Sequence, residues 1–191
     1  MKPTKEQIAD WIDEYLQSPN AVNVMNRKWE MMFIHGLHKE NYAGYNEKAS
    51  DRWKRTIETK CETLNKHTSF DELYKAVKGI TEHGIGELSK YDTATCLGCE
   101  RGIYPTVVYL HAGTAEGARA LGVTGVAANK EQFVEICKAF GKLEPIQIED
   151  FLCIYKYCLQ GNAIQCAKVR ARMKNNKACG AQPKGKCGRG C

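Results

Sequence analysis

The chain has 191 residues, of which 43% are hydrophobic and 26% are charged, a composition typical of a soluble globular protein. This length suits one domain or two small helical lobes, and no apolar run approaches the roughly 20 residues that a membrane span requires. The first residues form no apolar signal-peptide core, so we expect neither a membrane protein nor a secreted one.

The net charge of +6 is spread unevenly along the chain. Residues 168–191 contain eight basic residues and no acidic residue, whereas residues 1–167 contain 20 basic and 22 acidic residues. A cationic segment of this kind attracts polyanions, nucleic acid first, although a tail that only aids solubility has the same composition.

The first half of the chain predicts helices joined by short turns. Thr4 and Gln7 form a capping box before the first helix, and the run Ser18-Pro19-Asn20 ends it. Ser69 and Glu72 form a second capping box. The apolar periodicity predicts further helices over residues 21–38, 47–66, 70–77 and 88–98.

The second half continues the helical pattern. Residues 106–110 begin with three β-branched residues, but an isolated strand has no partner, so we interpret them as the lead-in to a helix. Helices are predicted over residues 114–121, 131–140, 148–160 and 163–174, the second of them capped by Asn129 and Gln132. Because no strands alternate with these helices, we predict an all-α helical bundle.

Composition divides the bundle into an N-terminal helical region at 1–68, a helical domain at 69–174 and a tail at 175–191. We expect residues 1–174 to form a single compact unit. The tail is rich in Gly, Lys and Cys and is predicted to be irregular.

One motif stands out between two predicted helices, the sequence Gly84-Ile85-Gly86. The two glycines permit backbone torsions that other residues avoid and allow another molecule to approach closely. Ile85 is predicted to fill the gap between the helices. The amides of Gly86, Glu87 and Leu88 then point outward from a helix N-terminus, a geometry that favours phosphate.

This segment resembles the helix–hairpin–helix DNA-binding motif. The helices that follow are similar in order to those of the helix–hairpin–helix base-excision DNA glycosylases, and residues 91–94, 109–114 and 117–122 resemble bacterial helix–hairpin–helix proteins. The resemblance implies a DNA-glycosylase-like fold, a role in DNA repair and duplex DNA held through its phosphates. The hairpin residues that the resemblance implies for DNA binding are Gly84, Ile85, Gly86, Glu87, Leu88, Ser89 and Lys90. The positive charge of the last predicted helix adds Arg170, Arg172 and Lys174.

The sequence departs from the glycosylases at their catalytic positions. Leu88 occupies the place of the nucleophilic lysine of bifunctional enzymes, and residues 103–114, where the catalytic aspartate belongs, contain no acid. Cleaving a glycosidic bond requires such a carboxylate or amine. We therefore predict a non-enzymatic, weakly sequence-specific DNA-binding protein, with Tyr109 and His111 as the polar pair of the presumed cleft and the candidate catalytic residues.

The same sequence is compatible with two alternatives. A divergent DNA glycosylase or lyase would have to use a carboxylate from the N-terminal half, such as Glu40, Glu47 or Asp51. A protein-interaction module would use the hairpin only as a structural turn.

Cysteine placement suggests a reducing compartment. Most of the ten cysteines lie in predicted helices, so we interpret them as reduced core residues and expect a cytoplasmic location. The pairs Cys96 with Cys99 and His35 with His38 are interpreted as packing and helix-end residues. No cofactor is expected, with one exception. A zinc ion or an iron–sulfur cluster would be bound by the four candidate ligands Cys166, Cys179, Cys187 and Cys191.

Overall fold

The computed structural model describes residues 2–29 and 49–175, which are mostly helical. This helical content confirms the predicted all-α class. The helices of the described residues are α1 (Lys5–Leu16), α2 (Pro19–Asn23), α3 (Ala49–Leu64), α4 (Phe70–Lys78), α5 (Glu87–Cys99), α6 (Ala112–Ala120), α7 (Lys130–Ile136), α8 (Pro145–Leu159) and α9 (Ala163–Lys174), with 3₁₀ turns at Val24–Asn26 and Lys138–Lys142. None of them is long and apolar enough to cross a membrane.

The chain divides into two compact units. The first, here called the discontinuous unit, combines the residues up to Met25 with those from Thr106 onward, and the second, the hairpin unit, is Asn26–Pro105. The predicted boundary between residues 68 and 69 lies inside the hairpin unit. The indole of Trp53 on α3 donates a hydrogen bond to the Thr93 hydroxyl on α5 at 2.8 Å, which ties residues on both sides of that boundary together.

In the discontinuous unit, α1 and α8 form an aromatic core. The predicted capping box of Thr4 and Gln7 opens α1, whose buried face includes Trp11 and Tyr15. Trp11 stacks on Tyr155 of α8 with ring centroids 6.3 Å apart, and Tyr15 meets Phe151 edge to face at 5.9 Å. Burial of these rings removes large apolar areas from water, which is the main stabilising contribution here.

Helices α6 and α8 pack closely at one glycine. A Cβ atom added at Gly117 would overlap the backbone carbonyl oxygen of Leu152. The Thr114 hydroxyl donates to the Glu149 carbonyl at 3.2 Å on the same contact face. The absence of a side chain at position 117 is therefore what allows these two helices to approach.

The structure corrects the interpretation of residues 106–110 as the lead-in to a helix. Val108–Tyr109 form strand β1, which pairs antiparallel with β2 (Ala127–Ala128), with Val108 opposite Ala128. A partner strand therefore exists, and its first residue, Ala127, lies 19 positions after Val108. Pairing satisfies backbone hydrogen-bonding groups beside the fully buried Val108 side chain.

The helix predicted over residues 131–140 is shorter than expected. Its capping box of Asn129 and Gln132 is present, but α7 ends at Ile136 because Cys137 has an extended backbone with φ −147°. The thiol of this buried residue donates to the Lys5 carbonyl at 3.5 Å, and a 3₁₀ turn follows. The extended residue thus separates two short helical segments that both bury a phenylalanine, Phe133 and Phe140.

In the hairpin unit, α4 and α5 pack through aromatic side chains. Phe70 and Tyr74 on α4 both contact the buried Tyr91 ring of α5 edge to face, at 5.8 Å and 5.5 Å. Trp53 and Ile57, predicted to share one face of α3, are buried as well. These contacts fix the two helices that flank the Gly84-Ile85-Gly86 turn.

Candidate nucleic-acid interface

The turn between α4 and α5 uses its two glycines differently. Gly84 has φ +84°, a left-handed conformation that side chains disfavour, as the sequence predicted. Gly86 has φ −87° and ψ 175°, ordinary extended backbone, so the prediction of an unusual torsion is wrong there. Ile85 is half-buried.

Gly86 is the N-cap of α5, and it leaves the helix end open. No side chain caps the helix there, and a Cβ atom added at Gly86 would meet nothing within 4 Å. The first helical amide that bonds backward is that of Lys90, which donates to the Gly86 carbonyl at 3.2 Å. The preceding amides, of Glu87, Leu88 and Ser89, lie in the first turn, where a helix offers no acceptor of its own.

The turn is anchored to α3 by a residue that sequence reasoning missed. Arg52 forms an ion pair with Glu82 at 3.1 Å and donates to the His83 carbonyl at 3.2 Å. The Thr56 hydroxyl adds a hydrogen bond to Glu82 at 3.3 Å. Because these contacts join positions about 30 residues apart, no local pattern signals them, yet they hold the turn at Gly84 in place.

Charged side chains surround the open helix end. Glu87 accepts a hydrogen bond from the Tyr74 hydroxyl at 3.2 Å and pairs with Lys78 at 3.3 Å. Desolvation raises the pKa of Glu87, but the hydrogen bonds from Lys78 and Tyr74 and the charges of Lys78 and Lys90 outweigh it, so the pKa lies below its ordinary value. Glu87 is therefore a carboxylate at neutral pH, and it stands where an anionic ligand would have to approach.

Lys90 has a structural contact in addition to its charge. Its ammonium group donates to the Lys78 carbonyl at 3.0 Å, at the C-terminal end of α4. A cation near that end is favoured by the helix dipole. Lys90 therefore links the two helices of the hairpin as well as adding a positive charge near the turn.

An open groove of about 820 Å³ begins at the same turn, on the α3 side. Gly79, Ile80 and Thr81 form one end of it, and Lys60 and Lys75 lie along its walls. Both lysines are exposed, and Glu72 lines the groove together with them. No local sequence pattern indicates this groove, because it depends on how α3 packs beside α4.

The basic residues predicted on the last helix belong to the discontinuous unit. Arg172 and Lys174 are exposed on α9. Arg170 is half-buried and pairs with Glu14 of α1 at 3.0 Å. Of the three predicted DNA-binding residues on this helix, two are thus exposed cations, while the charge of the third is offset within the protein.

Tyr109 and His111, the candidate catalytic pair, lie side by side. Their rings are stacked with centroids 6.0 Å apart and planes inclined by 3°. His111 is the N-cap of α6, and Ala112 after it has φ +36°, a strained value for a residue with a side chain. Asp51, a proposed carboxylate partner, is exposed on α3 in the other unit, and Glu40 and Glu47 lie outside the described residues.

The cysteines differ from the prediction at one pair. Cys158 and Cys166 form a disulfide, so Cys158 is not a reduced core thiol and Cys166 is not available as a metal ligand. The spacing of eight residues places both at a corner between α8 and α9, which the sequence pattern does not reveal. The other three candidate ligands, at positions 179, 187 and 191, lie outside the described residues, and no group of three ligating side chains occurs in residues 2–29 and 49–175.

Cys96 and Cys99 occupy the inner side and the end of α5. Cys96 is buried and Cys99 half-buried. Burial raises the pKa of the Cys96 thiol to about 12 and raises that of Cys99 as well. Both thiols are therefore protonated at neutral pH, which fits their interpretation as packing residues. His35 and His38 lie outside the described residues.

Comparison of the chain with family models, curated proteins and solved structures gives no match.

Proposed function

We propose that this chain binds the phosphate backbone of duplex DNA through the turn Gly84–Lys90, without catalysing a reaction and with weak sequence preference. One observation carries the proposal, the uncapped N-terminus of α5 at Gly86, which opens to free space. Amides of a helix N-terminus are suited to an anion because of their hydrogen-bond donors and the positive end of the helix dipole.

The setting of this helix end supports the proposal. The turn is fixed by Arg52 and by the aromatic packing of α4 on α5, so little ordering is needed when a ligand binds. Lys60, Lys75 and Lys90 place three positive charges near this helix end, against the carboxylates of Glu72 and Glu87, and these cations attract a polyanion. Backbone contacts of this kind fix position on a duplex and carry no sequence information, which is why we propose weak specificity.

The absence of catalysis is proposed from the sequence. Leu88 replaces the nucleophilic amine, and no acid lies between residues 103 and 114. We expect a duplex with an abasic site to be bound and left uncut. A strand-cleaving activity that co-purifies with the protein would contradict this part of the proposal.

The test is a fluorescence-anisotropy titration of a labelled duplex with the full chain and with a chain ending at Asn175. This shorter chain keeps α9, whose Met173 is buried, and removes four basic residues. We expect it to bind at low salt with a salt slope smaller by up to about 3.6, since each phosphate contact contributes roughly 0.9. Binding that disappears with the tail would contradict the hairpin proposal, as would a full chain that does not bind.

A further inference from the structure

Helix α9 contacts the rest of its unit through one narrow stripe of residues. Met173 is buried, and Cys166 and Val169 are partly buried against the core of the discontinuous unit. These positions follow the spacing of one helix face, while Lys168 and Arg172 on the other side are exposed. One of the three inward residues is the cysteine of the disulfide.

A tight backbone corner connects α8 to α9. Gly161 has φ +76°, its amide donates to the Cys158 carbonyl at 2.9 Å, and the Asn162 amide donates to the Tyr157 carbonyl at 2.9 Å. This is the Schellman pattern of a helix C-terminus. Asn162 then caps α9 by accepting from the Gln165 amide at 3.1 Å. The corner brings the Cα atoms of the two cysteines to 4.5 Å.

We propose that the Cys158–Cys166 disulfide is a thiol-exchange site that holds α9 against its unit, and that its reduction releases the helix. The other attachments are few. Arg170 pairs with Glu14 near the surface, and Met173 accepts a hydrogen bond from the Asn20 amide at 3.4 Å. The ion pair is exposed on its Arg170 side, and a helix of 12 residues is marginal in water by itself.

The exchange step follows from the exposure of the two sulfurs. Cys166 is half-buried, whereas Cys158 is 2% exposed, so a small thiol reaches Cys166 first. Its thiolate attacks Sγ of Cys166, the S–S bond breaks, and the electron pair and a proton go to Sγ of Cys158. A second thiol attacks the mixed disulfide and releases Cys166. Two thiols are oxidised to one disulfide, and the protein disulfide is reduced to two thiols.

Release of α9 changes what the helix presents to solvent. Arg170 loses its contact with Glu14 and becomes a solvent-exposed cation, and the apolar side chains of Val169 and Met173 are uncovered. The redox state of one bond thereby controls the exposure of the Arg170 charge and the order of the helix that precedes the basic tail. The inference does not depend on DNA binding, and its test uses no DNA.

The test is amide hydrogen exchange of the full chain, read by mass spectrometry, with and without dithiothreitol. We expect amides of α9 to exchange at least about tenfold faster after reduction, while those of α3 stay unchanged. Cys166→Ser should show the fast exchange without reductant and no response to it. Cys61→Ser removes a half-buried thiol of the hairpin unit and should behave as the parent chain does.

Two results would overturn the proposal. One is a peptide digest made without reductant in which Cys158 and Cys166 are not cross-linked. The other is α9 exchange that is the same in the oxidised and reduced parent chain, which would show that the corner and Met173 hold the helix without the disulfide. Both measurements use the parent chain, so they stand even if Cys166→Ser does not fold.

Discussion

Replacing Gly86 with serine should separate the stability of α5 from its proposed role in binding. The backbone at Gly86 is already that of an N-cap residue, and a Cβ atom there would meet nothing within 4 Å. A serine at this position can accept a hydrogen bond from the amide of Leu88 or Ser89. The side chain would then occupy the place that we propose for a phosphate oxygen.

The two effects of Gly86→Ser have opposite signs. Serine is a better N-cap than glycine by a few tenths of a kcal/mol, which raises the melting temperature by about 1 °C for a chain of this size. A lost hydrogen bond to a charged group costs about 1.5 kcal/mol at the lower end, or roughly tenfold in affinity for the duplex. A more stable protein should therefore bind DNA more weakly.

The assay combines thermal unfolding followed by circular dichroism with anisotropy titrations at one fixed salt concentration. Gly141→Ser serves as the control, because Gly141 is exposed, lies outside the hairpin unit, and an added Cβ there also meets nothing within 4 Å. Its DNA affinity should stay within about twofold of the parent. The reasoning is refuted if Gly86→Ser binds as the parent does, or if both variants lose affinity equally.

Three further results are expected. Glu87→Gln should strengthen DNA binding roughly threefold in anisotropy titrations, because it removes one negative charge about 7 Å from a phosphate in water. Weaker binding would show instead that the Glu87 carboxylate contributes to the interface. Gly117→Ala should lower the free energy of unfolding by about 2–3 kcal/mol in urea because of the overlap with Leu152, whereas Gly141→Ala, where space is open, should change it little. Elemental analysis should find less than one zinc or iron per chain, because the disulfide removes Cys166 from the four candidate ligands and residues 176–191 contain only three cysteines. A full equivalent of either metal would contradict this expectation.

Local signals in the sequence predicted most helix starts. The capping boxes at Thr4 and Asn129 are formed by two residues three positions apart, so their geometry is contained in a few neighbouring residues. Gly84 was predicted for the same reason, since a tight turn between two helices requires a left-handed residue. These elements need no knowledge of the rest of the chain.

Local sequence patterns did not predict the features that depend on distant residues. Strand β1 finds its partner in Ala127–Ala128, two alanines with low strand propensity that no local pattern marks. Arg52 anchors the hairpin turn across 30 positions, and the disulfide at Cys158 exists because a corner folds α9 back beside α8. At the candidate site, the turn was therefore predictable and its supports were not.

The division into two units has a consequence for the order in which the chain folds. Helix α1 is made early in synthesis, yet Tyr15 on this helix hydrogen-bonds Asp150, 135 positions later. The hairpin unit is a continuous segment and can complete its core as soon as Pro105 has emerged, whereas α1 must wait for α8. Closing such long loops is slow, so we expect two folding phases in refolding kinetics, with the Trp53 environment forming before that of Trp11.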